Sequence, residues 1–540
     1  MESREPQQTK AVNTINVIVS VSDASNLDVL GNALKAMGAN VYATGGTRAS
    51  LRALGVDALS ISDLTGFPEI LGGRVKTLHP GVHSGILAKR DDEAQMSQLR
   101  EHNLRTIELV AGNLYPFAAT IAKAGVTLPE AVEQIDVGGP TMIRAAAKNF
   151  ASVVVLCDPA DYEPVMREWQ DTGEVSTETR KRLATKAFRH VSEYDALIAD
   201  YLDASQSGKM DDTENLFPDA MDLRLKKVQV LRYGENPHQL GALYSDNLSV
   251  TGTTLVGSLK QLHGPELSYN NLMDADAALA IVRDYTTPAV AIIKHAGPCG
   301  LACGDENGDL AELFSRALAA DPLSAFGGIV GINRPVDGIL AQTIAKTRFD
   351  VLVAPSFSEE AIDTLARKRN LRLLAVPDPS VPGRDADFAS KLAFRQISGG
   401  FLVQSRDAIS DDLLMEPATL RHPTLEEIAD LVFAWRAVRH VRSNAIVLAK
   451  NMVTVGIGGG QTSRVDSVKI AVEKAGIHVP GSVMASDAFF PFPDGIEVAA
   501  QAGVTAVIQP GGSVNDDAVI EAADTAGLAM VFTRKRHFRH

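Results

Sequence analysis

The sequence predicts an α/β protein, and three observations carry that prediction. From Ile15 to about Leu202, short apolar runs alternate with segments of helical spacing, the pattern of a parallel sheet covered on both faces. Beyond a polar stretch the alternation resumes with longer loops. Of 540 residues, 45% are hydrophobic and 22% charged, which excludes a disordered, collagenous or disulfide-stapled chain.

Taken in order, Ile15 to Val21 reads as a buried strand. Residues 26–37 place Leu27, Leu30, Leu34 and Met37 at helical spacing, with Gly38 as the stop. Asn40 to Ala43 is the next strand, and Thr44-Gly45-Gly46-Thr47 leads from it into a helix over Arg48–Leu54. Ile107 to Ala111 and Val153 to Cys157 are further strands. Asp203 to Asp219 is polar, helix-poor and punctuated by Pro218, so it reads as a linker. The expected domains are 12–204 and 220–540, joined by 205–219. In the second, Ala289–Ile293, Ala445–Leu448 and Val504–Ile508 are apolar strands that run into Gly- or Pro-rich turns. Ala291-Ile-Ile-Lys-His and Ala445-Ile-Val-Leu-Ala-Lys-Asn look alike, which points to an internal duplication.

Charge and cysteine usage narrow the function classes. Lys+Arg 52 against Asp+Glu 66 leaves a net charge of -14, poor electrostatic bait for nucleic acid or an anionic membrane. Cys157, Cys299 and Cys303 are too few for a disulfide framework and fit a reducing compartment. No run approaches the ~20 apolar residues of a membrane helix. The expectation is a soluble cytoplasmic protein.

Parallel sheets bind ligands beyond the carboxyl ends of their strands. Thr44–Thr47 offers backbone N–H groups and a helix N-terminus to an anion, against the plainer reading of a Thr-capped turn. Gly72-Gly73-Arg74-Val75-Lys76-Thr77-Leu78-His79-Pro80 gathers two cations, a hydroxyl and an imidazole, against the plainer reading of a solvated basic turn. A zinc site at His79 and His83 fails, because Pro80 and Gly81 are expected to break any helix between them and no third ligand is obvious. Asn113-Leu114-Tyr115-Pro116-Phe117 ends an apolar strand. Asp136-Val137-Gly138-Gly139-Pro140-Thr141 leads into Arg144 and Lys148, spaced i and i+4. Together these describe a phosphate pocket ringed by Lys, Tyr and Asp.

In the second lobe, Lys294-His295 ends a strongly apolar strand, a setting that suits acid–base chemistry. Cys299 and Cys303 are separated by three residues and His295 is followed by Ala-Gly, so a zinc deaminase signature is absent. Arg232–Gln239, Ser324–Gly328, Arg442-Ser443-Asn444, Gly456–Arg464 and Gln509–Ser513 are further polar or Gly-rich turns. Ser486–Phe492 is expected to expose three aromatics near acids, a surface for a flat heterocycle.

In sequence order these segments resemble the bifunctional purine-biosynthesis family that joins phosphoribosylaminoimidazolecarboxamide (AICAR) formyltransferase to IMP cyclohydrolase, over nearly the whole chain. The resemblance implies a methylglyoxal-synthase-like parallel-sheet lobe, then a larger lobe of repeated cytidine-deaminase-like units without zinc. It implies formyl transfer from 10-formyltetrahydrofolate to the 5-amino group of AICAR, then dehydrative closure of formyl-AICAR to IMP. It implies a homodimer, with formyltransferase sites formed between subunits, and admits a monovalent cation, potassium. By the same resemblance His295 is the general base, Lys294 stabilises developing negative charge and Asn444 orients the substrate. Arg232, Tyr233, Gly327, Asp350, Arg464, Phe489 and Arg536 match AICAR-holding positions, and Val465, Asp494, Ser513 and Val514 match folate contacts. In the first lobe Ser22, Thr44, Gly45, Gly46, Thr47, Arg74, Thr77, Asn113 and Val137 match nucleotide contacts. Lys148 corresponds to the proton-transfer lysine, supported by Lys76, Tyr115 and Asp136.

One departure stands out. Family members commonly read Ser-Asp-Lys-Thr-Gly where this chain reads Ser22-Asp23-Ala24-Ser25-Asn26, so a lysine is missing at Ala24. Two rival readings stay open at this point: only one lobe active, or a nucleotide-sensing regulatory protein.

Overall fold

A computed structural model describes residues 15–123, 125–206, 225–246, 259–306, 308–376, 392–407 and 413–540, together with 217, 219–221 and 223. The chain divides into two compact units, Met1–Asp219 and Ala220–His540. Most of the expected linker lies outside the described residues. Its first positions do not: Thr177–Gln206 is one helix, so the backbone stays helical past residue 203.

The first unit is built on a five-stranded sheet. Its strands are β1 (Asn16–Ser20), β2 (Asn40–Ala43), β3 (Ala58–Ser60), β4 (Leu109–Gly112) and β5 (Val154–Leu156). They lie in the order β3-β2-β1-β4-β5, and every pairing is parallel. Val17, Ile18, Val19, Val41, Val110 and Val155 are almost wholly buried, as a sheet with both faces covered requires. The helix Leu27–Ala36 covers one stretch with the expected Leu27, Leu30 and Leu34. The next helix begins three residues earlier than expected, at Gly45–Ala53, because Thr44 takes the extended backbone of a cap residue. Strand β3 escaped the sequence reading, being three residues long with one residue fully buried.

The second unit holds a mixed sheet of twelve strands. From one edge they are Glu416–Pro417, Ala529–Phe532, Ala506–Gln509, Val483–Ser486, Ile446–Lys450 and Val453–Gly458. The order continues with Gly297–Cys303, Ala289–Lys294, Ile329–Ile332, Val351–Ala354, Arg372–Ala375 and Lys260–His263. This order reads the same from either edge. Each half is a hairpin joined antiparallel to one strand, then two parallel strands, then an antiparallel edge strand. The halves meet where Gly297–Cys303 pairs antiparallel with Val453–Gly458. A detached hairpin precedes each half, Leu225–Leu231 with Gly241–Asp246 and Leu392–Ile397 with Gly400–Ser405.

The duplication extends to single residues. The helices Tyr269–Val282 and Leu425–Val438 both open on a capping box, from Ser268 and Thr424. Both central hairpins turn through two left-handed residues, His295-Ala296 at φ 54° and 58° and Asn451-Met452 at 53° and 59°. A Cβ added to Gly300 would stand 2.0 Å from the Ala317 carbonyl, and one on Gly456 2.1 Å from that of Ala471. Glycine is what lets the following helix lie on the sheet in each half. Alternation along Ala289–Lys294 sends Ala289, Ala291 and Ile293 to a core shared by both halves, and Val290 and Ile292 to the opposite face.

Candidate functional site

In the first unit the loops after β1, β2 and β4 are tied into one floor. The Asn113 side-chain oxygen accepts the N–H groups of Ser22 at 2.6 Å and Asp23 at 3.0 Å, and its amide donates to Asp23 O. Ser22 Oγ donates to Leu114 O at 2.6 Å. Thr47 Oγ1 clasps Val21, accepting its N–H and donating to its carbonyl, both at 3.0 Å. Thr44 makes no side-chain cap; its hydroxyl turns to Ser20 Oγ at 3.1 Å. The first helical N–H groups are therefore left uncapped, and the space beside Gly45 and Gly46 is open. That arrangement suits an anion.

The other first-unit segments meet at the start of the helix Gly138–Lys148. The Asp136 carboxylate accepts Gly139 N–H at 2.9 Å and also bonds the N–H groups of Tyr115 and Gly138. Burial pushes its pKa up, against the pull of those three donors. Thr77 is buried against Gly138, while Val137 and Tyr115 are exposed. Arg74 pairs with Glu133, both more than half exposed, a contact of little net strength. Lys76 is half-buried with its ammonium against Gly73.

Lys148 is not brought into this group. It is exposed at the other end of the Gly138–Lys148 helix. Ten residues at ~1.5 Å each put its Cα about 15 Å from Gly138. Arg144 is also turned away, over the Phe188 ring at 5.8 Å. The expected helix break at Pro80 and Gly81 is likewise corrected. Pro80 occupies the first turn of the helix Pro80–Leu87, where a proline costs no hydrogen bond, and His79 Nδ1 caps it by accepting Gly81 N–H at 3.0 Å. Among the described residues no group of three metal-ligating side chains occurs.

In the second unit the expected residues, apart from Arg232 and Tyr233 after the detached strand Leu225–Leu231, fall at one end of the strands of the twelve-stranded sheet, an edge made of strand ends and loops, in two groups. Around Lys294 the first is compact. Lys294 Nζ donates to Phe326 O at 2.6 Å, Gly327 N–H to Arg348 O at 2.8 Å, and Asp350 N–H to Gly328 O at 2.9 Å. His295 stands exposed at the turn. Arg372, which the sequence reading missed, starts the neighbouring strand and is buried within the electrostatic reach of Asp350, Arg232 and Tyr233. Its signal was a lone cation opening the apolar run Arg372–Ala375.

The second group surrounds Asn444. Arg464 is 7% exposed and donates to Asn444 Oδ1 at 2.7 Å, Ser486 Oγ at 2.7 Å and the fully buried Asp487 at 2.5 Å. Asn444 Nδ2 donates to Gln461 O at 3.0 Å, and Ser443 Oγ to Asp487. Arg464 therefore holds Asn444 in place. Val465 and Asp494 lie in the first turns of the helices Arg464–Ala475 and Asp494–Ala502, and Phe489 is 38% exposed. Ser513, the fully exposed Val514 and Arg536 follow the next two strands. Of the three expected surface aromatics, Phe490 is instead buried at 1%, its place filled from the core side against Gly495.

Comparison with known proteins identifies the family. The family model AICARFT/IMPCHase bienzyme matches residues 146–474, and an MGS-like domain model matches residues 27–141. The chain belongs to the AICARFT/IMPCHase bienzyme family. The bifunctional purine biosynthesis protein PurH of Anoxybacillus flavithermus is 50% identical over 97% of this chain and 99% of its own length. The PurH proteins of Bacillus subtilis and Halalkalibacterium halodurans are each 48% identical over the same shares. As a family member the chain is a bifunctional enzyme of purine biosynthesis, with AICAR formyltransferase and IMP cyclohydrolase activities. Both rival readings fall with that membership.

Proposed function

We propose that ring closure belongs to the first unit, formyl transfer to the second, and that each formyl-transfer site takes its two groups from two copies of the chain. The observation that carries this is the single sheet edge on which Lys294, His295, Gly327, Asp350, Asn444, Arg464, Phe489 and Arg536 fall. Strand register pairs Lys294 with Gly297 and Ile446 with Gly458, and the two hairpins meet antiparallel at Ala302 and Val453, which puts both pairs on that edge. His295 thus follows, and Asn444 precedes, strands that lie three spacings apart, about 14 Å at ~4.8 Å each. That separation is too wide for both to serve one amine, and a homodimer whose partner supplies the Asn444 group closes it.

In formyl transfer the His295 imidazole takes a proton from the 5-amino nitrogen as that nitrogen bonds to the formyl carbon of 10-formyltetrahydrofolate. Lys294 stabilises the oxyanion of the tetrahedral intermediate. The bond to N10 of the folate then breaks, and N10 recovers the proton from the imidazolium. In the first unit the carboxamide nitrogen of formyl-AICAR bonds to the formyl carbon, and the formyl oxygen leaves as water. Lys76 and Tyr115 supply the nearby proton donors and Asp136 the carboxylate. The phosphate is held by the uncapped helix at Gly45–Thr47. Potassium and a cytoplasmic location belong to the same proposal; the free, buried Cys157, Cys299 and Cys303 support the latter. Among the described residues no helix is long and apolar enough to cross a membrane.

The test uses two variants of the full chain. His295→Ala is expected to lower formyl transfer on the order of 10²–10⁴-fold, with cyclisation of supplied formyl-AICAR retained. Lys76→Ala is expected to do the reverse, so that formyl-AICAR accumulates from AICAR and 10-formyltetrahydrofolate. Loss of both activities in either variant would overturn the division. Lys148→Ala, measured beside them, shows whether a lysine about 15 Å from Gly138 takes part at all.

A further inference from the structure

The turn that carries His295 is an unfavourable place for two L residues. Left-handed backbone costs a non-glycine residue on the order of 1–2 kcal/mol, and His295 and Ala296 both adopt it. A carboxylate offsets that cost. Asp274, the sixth residue of the helix Tyr269–Val282 and 9% exposed, accepts Ala296 N–H at 2.7 Å and also bonds His295 N–H.

The second half of the sheet repeats the device. Asp430, the sixth residue of Leu425–Val438 and 8% exposed, accepts Asn451 N–H at 2.8 Å and Met452 N–H at 2.7 Å. The preceding lysines match too: Lys294 Nζ donates to Phe326 O at 2.6 Å and Lys450 Nζ to Pro480 O at 2.8 Å. The two turns share a backbone and its carboxylate clamp. They differ in what they present, an imidazole at one and a carboxamide at the other.

From this pairing we infer that Asp274 is a positioning residue for formyl transfer, fixing the left-handed turn that sets His295 without touching the reacting atoms. The inference rests on the role proposed for His295. Burial raises the Asp274 carboxyl pKa, and the N–H groups of Ala296 and His295 oppose that shift, so its bonds go to backbone donors that a carboxamide oxygen can also satisfy. Alanine at 274 leaves those donors without their partner.

The duplicate turn supplies the control. In the full chain, Asp274→Ala is expected to lower kcat for formyl transfer on the order of 10- to 100-fold, since small displacements of a reacting group cost that much. KM for AICAR should stay within about twofold, and cyclisation of supplied formyl-AICAR should be unchanged. Asp274→Asn should keep most of kcat. Asp430→Ala should lose thermal stability as Asp274→Ala does, yet keep formyl transfer. Ala296→Gly added to Asp274→Ala should restore much of kcat, because glycine adopts φ near 58° freely. Equal kcat losses in Asp274→Ala and Asp430→Ala would overturn the inference, as would an Asp274→Asn variant as impaired as His295→Ala. Those comparisons remain decisive if Asp274→Ala fails to fold, since Asp274→Asn keeps the acceptor. An active His295→Ala would instead overturn the role of His295, whereas an inactive His295→Ala beside an unimpaired Asp274→Ala would overturn the present inference alone.

Discussion

Asp136, in the role proposed for it, serves the site at the expense of the fold. Burial raises its pKa although three N–H groups point at it. A raised folded-state value means that the ionised form is penalised on folding: the penalty is complete above the raised pKa and fades as pH falls toward the ordinary 3.8. Asp136→Asn keeps an acceptor for Gly139 N–H and removes the charge. We expect its Tm at pH 8 to equal or exceed that of the wild type, with the gap narrowing in acid, while cyclisation falls at least ~10-fold. Scanning calorimetry at pH 8 and pH 4 reads the first effect, and a lower Tm at pH 8 would refute it. Arg464 makes the opposite case. The resemblance offers it as a residue that holds AICAR; in the structure three of its five N–H donors go to Asp487, Ser486 and Asn444. A residue's partners depend on the packing of distant strands, and no local pattern announces them.

At the scale of elements, the start of the helix Leu425–Val438 is held by two interlocked devices. Thr424 and Glu427 form a capping box, and Arg421 grips the same Glu427 carboxylate with both terminal nitrogens at 2.8 Å and 3.0 Å. Burial opposes ionisation of Glu427, but the hydrogen bonds from Arg421 and the cap outweigh it and hold the pKa at about 2. Because the folded value is depressed, the stabilisation is present above the ordinary 4.5 and is lost as pH falls through about 2. Glu427→Gln should therefore cost about 2 kcal/mol at pH 7 and almost nothing at pH 2, by denaturant titration at each pH. Helices and strands of this kind were legible where their apolar spacing was long. Leu27, Leu30 and Leu34 gave one helix, and Ala289 to Ile293 gave a strand, nearly to the residue. The three-residue β3 was not legible, because a strand so short has no period to detect. Lys148, which the resemblance groups with Asp136, stands at the far end of the helix Gly138–Lys148 in this chain, a separation that a count of helical rise makes legible. Phe490 was expected at the surface from its neighbours Phe489 and Phe492, and only the packing of Gly495 beneath it shows why it turns inward.

For the whole molecule, two groups on one sheet edge and about 14 Å between their strands make a strong demand on assembly. If a partner chain supplies the missing group, two inactive variants should repair each other. Mixing His295→Ala with Asn444→Ala under conditions that exchange subunits should restore up to roughly a quarter of wild-type formyl transfer, since half the random dimers are mixed and each keeps one intact site. No recovery in verified mixed dimers would place both groups in one chain. The duplication behind this edge was hinted at by one short likeness in sequence, yet it governs the entire second unit, from its detached hairpins to its edge strands. Most equivalent positions differ in side chain, so the repeat survives mainly as backbone geometry. The central hairpins carry that furthest. A two-fold axis through an antiparallel pair sends equivalent turns to opposite edges, so the turn at Asn451 faces away from the groups that would make an imidazole useful. On the role proposed for His295, holding a shape and performing a reaction are demands that coincide at one turn and separate at the other, and the chain thereby contains, in its own second half, a version of the His295 hairpin with the imidazole removed and the architecture retained.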